Sequence, residues 1–159
     1  MTARFFYKDP KAPTPNRPIG VGALALIEAG GALLMDLRSD CARWGLPGGL
    51  VEPEESVAAA VARELREETG LVADEVELFR VFQDPTRIVS YPDGNTRRII
   101  TFAFRVAVAD LAPLRPSEES LELRFVPLEE LWELDLIETT RPIVERYLWH
   151  PGERAGEMD

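Results

Sequence analysis

The sequence predicts an α/β protein in which a mixed β-sheet is sandwiched between helices. Short apolar segments rich in Val, Leu and Ile have the composition of buried strands. Segments of helical composition are interspersed among these strands instead of following in one block. The length of 159 residues fits one domain with room for a substantial core.

The first third of the chain predicts an extended arm followed by a strand pair. Residues 1–18 are rich in proline towards their end, which favours an extended arm. Residues 19–28 and 32–37 are apolar enough for two buried strands, and the glycines between them indicate a turn. Residues 46–49 (LPGG) are predicted to form a loop, because proline and glycine disfavour regular structure.

The clearest predicted element is a helix over residues 56–69. Ser56 is a suitable N-cap, and Gly70 is a suitable C-terminal stop. Two strand-like segments follow at 76–89 and 96–108, with the turn signal PDGN between them.

The last third predicts a strand and two helices. Residues 121–126 alternate as a short strand does, and residues 127–134 indicate a short helix. Thr140 is the expected cap of a final helix over 141–148, with Pro142 in its first turn. Residues 19–150 are thus expected to form one domain, followed by a polar tail at 151–159.

Composition excludes several classes of function. One cysteine and one histidine rule out an internal disulfide and make a histidine-dependent triad or zinc site untenable. A net charge of −10 argues against nucleic-acid binding through a basic surface. No segment has the length of a membrane helix, and the N-terminus does not have the pattern of a secretory signal, so a cytoplasmic location is expected.

Three glutamates on the predicted helix indicate a cation site. Glu64, Glu67 and Glu68 are spaced i, i+3 and i+4, so their side chains lie on one side of a helix. Like charges at this spacing destabilise a helix unless a cation lies among them. Ligands that are oxygen only point to a hard cation, Mg²⁺ or Mn²⁺.

The segment around these glutamates, GLVEPEESVAAAVARELREETGL at 49–71, resembles the Nudix box. In that motif a glycine is followed by Glu, then by Arg-Glu-apolar-any-Glu-Glu, then by any-Gly-apolar. Each fixed position is filled, namely by Gly49, Glu55, Arg63, Glu64, Leu65, Glu67, Glu68, Gly70 and Leu71. The resemblance implies the Nudix fold and a metal-dependent hydrolase of a nucleoside diphosphate linked to another group.

The resemblance also implies roles for the residues of the box. Glu64, Glu67 and Glu68 are the expected metal ligands, with a main-chain carbonyl of Gly48 or Gly49. Arg63 is expected to pair with Glu55 and to hold the loop against the helix.

Two carboxylates are candidates for the general base. Glu64 is one, and Glu119, in the acidic loop at 116–120, is the other, because some relatives use a glutamate from a later loop. Glu119 is preferred to Glu118 because it lies six residues before Phe125, where relatives often carry a tryptophan.

The rest of the substrate is expected to bind outside the box. The segment 83–98 carries Arg87, Tyr91 and Arg98, which are candidates for contacts with phosphate or base, and Phe82 is a candidate for stacking. A nucleoside triphosphate, including oxidised forms, is the favoured substrate. An ADP-ribose or nucleotide-sugar pyrophosphatase, a diadenosine polyphosphate hydrolase and a non-enzymatic nucleotide sensor are the alternatives. A monomer or a homodimer is expected, since Phe5 in the arm could contact a second copy.

Overall fold

The computed structural model describes residues 2–153 and places helices on both sides of β-structure. The strands are β1 (Arg4–Phe6), β2 (Gly20–Leu26), β3 (Glu28–Ala29), β4 (Ala32–Arg38), β5 (Trp44–Gly45), β6 (Gly48–Leu50), β7 (Glu75–Phe82), β8 (Ile88–Ser90), β9 (Thr96–Ala107) and β10 (Ser120–Pro127). The helices are α1 (Val57–Thr69) and α2 (Arg141–Trp149), preceded by a 3₁₀ helix at Leu128–Glu133.

Six strands form the larger sheet, in the order β1-β8-β9-β2-β6, with β7 also paired to β9. The pair β2–β9 is parallel, and the other pairs of this sheet are antiparallel, so the sheet is mixed as expected. Gly22 on β2 lies opposite Thr101 on one side and opposite Leu50 on the other. Strand β2 therefore lies between β9 and β6, the strand that contains the start of the predicted box.

The remaining four strands form a second sheet, which the sequence did not predict. Its order is β10-β4-β3, and β5 pairs with β4. The chain leaves the larger sheet after Leu26, and β3 begins at Glu28 in the second sheet. A strand predicted over 19–28 is therefore divided between two sheets.

Helix α1 begins and ends where the sequence predicts. The Ser56 hydroxyl accepts a hydrogen bond from the Ala59 N–H at 3.1 Å, and Gly70 closes the helix in the left-handed conformation with φ of 77°. Val61 and Leu65 are fully buried against β2 and β9. A second core on the other face includes Ile143 of α2, so the α/β/α arrangement is confirmed.

Three local predictions were wrong. Residues 48–50 are not loop but form β6, antiparallel to β2, because a glycine at 48 lets the two backbones approach closely. The strand predicted over 76–89 is interrupted between β7 and β8 by a turn in which Asp84 accepts hydrogen bonds from Thr86. Thr140 stands at the N-cap of α2 without a side-chain capping bond.

Both ends of the described chain are tied to the domain. Strand β1, within the predicted arm, pairs with β8, and Phe5 is buried. Glu153 accepts a hydrogen bond from Arg80 at 2.6 Å and is buried. The rest of the predicted polar tail, residues 154–159, lies outside the described residues.

Candidate active site

A cleft of about 710 Å³ runs between the two sheets and the glutamate-bearing face of α1. The strand order gives the cleft two ends. The glutamates of α1 lie beside β6 at one edge of the larger sheet, whereas β8 and β1 form the other edge. We call the first the carboxylate end, defined by Glu64, Glu67 and Glu68. We call the second the distal end, defined by six lining residues: Phe5, Arg87, Tyr91, Ile99, Thr101 and Thr139.

Glu68 is the buried member of the carboxylate end. It is 8% exposed, and its Oε2 accepts a hydrogen bond from the Gly48 N–H at 2.9 Å. Burial raises the pKa of Glu68 well above its usual range, against the lowering effect of the Gly48 N–H, and the nearby charges of Glu64 and Asp36 raise this pKa further. A negative charge on Glu68 is thus costly unless a cation accompanies it.

Two glycines shape the backbone under these carboxylates. Gly48 has φ of 148°, and a Cβ there would lie 2.1 Å from the Ala23 carbonyl oxygen. A Cβ at Gly49 would lie 2.6 Å from Glu64 Oε1. The LPGG segment therefore gives β6 its close approach to β2 and leaves room for the Glu64 carboxylate against the main chain.

Arg63 is the hub of the ion pairs around the box. Its Nε and Nη2 donate to the two carboxylate oxygens of Glu55 at 2.9 and 2.7 Å, so the predicted contact is present and bidentate. Its Nη1 donates to Glu64 at 3.0 Å and to Glu67 at 3.1 Å. Glu55 also accepts from the Glu52 N–H, which ties the loop preceding α1 to the helix. The Arg63 guanidinium lowers the pKa of Glu55 to about 2.

The carboxylates do not form a complete ligand set in this conformation. Within residues 2–153, no three acidic, histidine or cysteine side chains converge as a metal cluster. Glu64 and Glu67 instead face Arg63, and Glu68 faces the Gly48 N–H. The donor chemistry nevertheless fits a hard divalent cation, since the ligands are oxygen only and the Arg63 cation already lies between two of them. Glu64, Glu67, Glu68 and the carbonyl of Gly49 are the residues that would hold it.

Glu119 lies in the wall of the cleft, and Glu118 is not among the lining residues. The backbone carbonyl of Glu119 accepts hydrogen bonds from the N–H and the hydroxyl of Ser39, both at 2.9 Å. These bonds hold the loop at its end while the Glu119 side chain stays exposed. In this position Glu119 is accessible from the cleft, as a general base must be.

The four predicted substrate-binding residues are divided by the structure. Arg87 and Tyr91 line the distal end. Phe82 instead packs against the main core, below the Arg87 guanidinium at 5.7 Å. Arg98 donates to the Gln83 carbonyl at 2.8 Å and is not a lining residue. Alternation along β9 explains the position of Arg98, because its neighbour Ile99 lines the cleft. Phe82 lies opposite Thr101 in the sheet and is covered by the Arg87 guanidinium.

The sequence did not identify several lining residues. Asp36 on β4 is 6% exposed, its Oδ1 has no hydrogen-bond partner within residues 2–153, and burial raises its pKa. The sequence could have indicated Asp36 as a functional residue, because it is an acidic residue inside the apolar segment ALLMDLR. Phe5 and Thr101 carry no such signal, since only the pairing of β1 with β8 and of β9 with β2 brings them to the cleft. Thr139 carries none either, and its carbonyl accepts a hydrogen bond from Arg87 there.

Comparison with known proteins agrees with this geometry. The family model described as NUDIX domain matches residues 16–147. The chain is 34% identical to a MutT-like protein from Streptomyces ambofaciens, over 84% of this chain and 85% of that protein. It is 35% identical to the nucleoside triphosphatase NudI of an Enterobacter strain, over 73% of this chain and 87% of NudI. A crystal structure of a Nudix hydrolase from Nitrosomonas europaea superposes with a TM-score of 0.69 at 27% identity, covering 94% of this chain and 82% of that one.

Fold, site and relatives together define an enzyme of the pyrophosphohydrolase class, which acts on acid anhydrides. The chain belongs to the Nudix family of MutT-like hydrolases, since the family model covers most of its length. None of the helices within residues 2–153 is long and apolar enough to cross a membrane.

Proposed function

We propose that this Nudix enzyme hydrolyses nucleoside triphosphates, including oxidised ones, to the monophosphate and pyrophosphate with Mg²⁺ or Mn²⁺. The observation that carries the proposal is the carboxylate end, where buried Glu68 and the Arg63-linked Glu64 and Glu67 stand at the edge of a cleft of about 710 Å³. The similarity to proteins named nucleoside triphosphatase supports the choice of substrate class.

Each residue of the carboxylate end has a proposed task. Glu64, Glu67, Glu68 and the Gly49 carbonyl would hold the divalent ions, which neutralise phosphate oxygens and lower the pKa of bound water. Arg63 and Glu55 keep the loop and the helix in register, so that Gly49 stays against Glu64. Glu119 or Glu64 removes the proton of the attacking water.

A substrate panel with controlled metal tests the proposal. The purified protein is stripped with EDTA and assayed for phosphate release. Inorganic pyrophosphatase is added with nucleoside triphosphates, and alkaline phosphatase is added with ADP-ribose, nucleotide sugars and diadenosine polyphosphates, because these release phosphomonoesters instead of pyrophosphate. Turnover of triphosphates should be absent in excess EDTA and return with Mg²⁺ or Mn²⁺, and zinc should not be required. Full activity in excess chelator contradicts the metal role, and a preference for ADP-ribose or a nucleotide sugar contradicts the substrate class.

We also propose the partners and the location of the protein. A small nucleotide is the proposed partner, and neither a nucleic acid nor a membrane is expected to bind. A cytoplasmic location and a monomeric or homodimeric state are proposed alongside, with the oligomeric state open to sedimentation analysis.

A further inference from the structure

The distal end of the cleft lies across strand β2 from the carboxylate end. From β6, the strand order passes through β2 to β9, which carries Thr101 at two strand spacings, or roughly 10 Å, and then to β8. Gly22 keeps this path open, since a Cβ there would lie 3.7 Å from Thr101 Oγ1 and 3.9 Å from the Gly49 carbonyl oxygen. A nucleotide with its phosphates at the carboxylate end would reach the distal end with its base.

Arg87 is a buried cation at the distal end with no ion pair. It is 2% exposed, and within residues 2–153 no carboxylate lies within ion-pair distance of it. Its Nη1 donates to the Thr139 carbonyl at 2.9 Å and its Nη2 to the Thr101 hydroxyl at 3.1 Å, while its Nε has no partner there. The neighbouring carboxylate of Asp84 is occupied by Thr86.

Burial lowers the pKa of Arg87 to about 10, so the guanidinium stays charged at neutral pH. A desolvated cation without a counter-ion is costly, and an electron-rich group of a ligand would offset that cost.

The polar side chains at the distal end have hydrogen-bond donors that are not used within the described part of the chain. Each Nη of Arg87 keeps one hydrogen beyond the bond that it makes. The Thr101 hydroxyl accepts from Arg87, which leaves its own hydrogen free, and the Tyr91 hydroxyl makes no hydrogen bond to the described residues. None of the six residues that define this end is acidic, and the carboxylate of neighbouring Asp40 is held by Arg38 in a bidentate pair. The distal end is therefore rich in donors.

We propose that the distal end selects nucleobases that present a carbonyl oxygen, and that Arg87 is the specificity-determining donor. The proposal rests on the proposed nucleotide function. A carbonyl oxygen can accept the hydrogens that Arg87 and Thr101 keep. An amino group at the same place is itself a donor and faces the donors Arg87 and Thr101. The amino group and the two side chains would then lose their hydrogen bonds to water and form none with each other. A carbonyl could belong to an oxopurine or to an oxopyrimidine.

Two matched substrate pairs test the proposal and separate these two sources. ITP and ATP differ in an oxygen for an amino group on a purine, and UTP and CTP differ in the same way on a pyrimidine. In at least one pair, kcat/KM for the carbonyl member should exceed that for the amino member by about tenfold or more. The pair that shows the preference identifies the base class.

Variants of the distal end assign the preference to Arg87. Arg87→Gln should reduce the ratio to about one, mainly by lowering kcat/KM for the carbonyl member. Thr101→Val, which removes the hydroxyl that holds Nη2, should reduce the ratio in the same direction. Arg97→Gln is the matched control, since Arg97 donates to the Pro18 carbonyl at 2.9 Å outside the cleft. If Arg87→Gln does not fold, Arg87→Lys replaces it in the test. The single ammonium of lysine should lower the ratio of kcat/KM between the carbonyl and amino members relative to the wild type.

The outcomes that overturn the proposal differ from those that overturn the proposed function. Ratios near one in both pairs for the wild type, or an unchanged ratio in the Arg87 variants with only a lower melting temperature, make Arg87 a structural residue. Absence of all nucleotide turnover with Mg²⁺ contradicts the proposed function. In that case calorimetry gives the dissociation constants of the carbonyl and amino members of each pair. Equal affinities within both pairs, or affinities too weak to measure, overturn the base selection as well.

Discussion

Replacing Arg63 by alanine removes the only guanidinium that contacts both the box loop and the carboxylates of α1 within residues 2–153. Glu55, Glu64 and Glu67 would lose their hydrogen-bonded cation together. The carbonyl of Leu50, which accepts from Nη2 at 3.3 Å, would lose a donor too. The variant should therefore lose stability even when no substrate is present.

The size of this loss follows from the geometry. Hydrogen bonds to charged groups contribute about 1.5–3 kcal/mol when buried, and exposed ion pairs contribute less than about 1 kcal/mol. The Arg63 side chain is 22% exposed and that of Glu55 is 15% exposed, so the bidentate pair falls between these limits. We expect a loss of about 1–2 kcal/mol, which for a domain of this size corresponds to a drop in Tm of roughly 2–8 °C.

Thermal melts followed by circular dichroism measure the loss, with Arg66→Ala as the control. Arg66 lies on the same helix, is exposed, and forms no ion pair with the described residues. The loss should be larger in EDTA than with Mg²⁺, because a bound cation would also neutralise Glu64 and Glu67. Turnover should fall less than in Glu67→Gln. Equal melting temperatures for Arg63→Ala and Arg66→Ala would refute the role given to this hub.

Three further predictions concern the carboxylates. Glu67→Gln and Glu68→Gln should each reduce turnover by roughly 10²-fold, about 3 kcal/mol. The metal-free melting temperature should be equal or higher in Glu68→Gln, because a buried charge at Glu68 is costly without a cation, and slightly lower in Glu67→Gln, which weakens the ion pair with Arg63. Near-normal turnover in a destabilised protein would instead make these residues structural. Glu119→Gln should lower turnover and move the low-pH limb of the rate profile with metal affinity unchanged, and an unmoved profile would exclude it as the base. Glu55 has a lowered pKa, about 2, so its contribution to stability is complete above the unfolded-state value of about 4.3 and disappears towards about pH 2. The difference in urea midpoint between wild type and Glu55→Gln should narrow in that window, and a constant difference would contradict the ion pair.

The sequence was most informative where local chemistry decides the structure. The cap at Ser56, the stop at Gly70 and the pairing of Arg63 with Glu55 are all present as predicted. Each depends on residues at most eight positions apart, so spacing along one helix and its preceding loop is enough to predict them.

Predictions failed where the position of a residue depends on strands that are distant in the sequence. The glycines at 48 and 49 read as a loop, but they form β6 because β2 lies beside them. Phe82 and Arg98 were selected by residue type. Arg98 alternates along β9 with the lining residue Ile99, whereas Phe82 packs against the main core beneath Arg87. Thr101 reaches the site only through the parallel pairing of β9 with β2, which no local pattern predicts.

The pairing of β1 with β8 has a consequence for how such an enzyme can diverge. Phe5 brings the first residues of the chain into the wall of the cleft, whereas the glutamates lie more than fifty positions later. Exchange of this short leading segment could therefore alter which molecules are accepted while the hydrolytic machinery stays untouched. For the same reason, a bulky fusion placed directly before β1 should disturb substrate recognition more than one placed at the other end of the polypeptide.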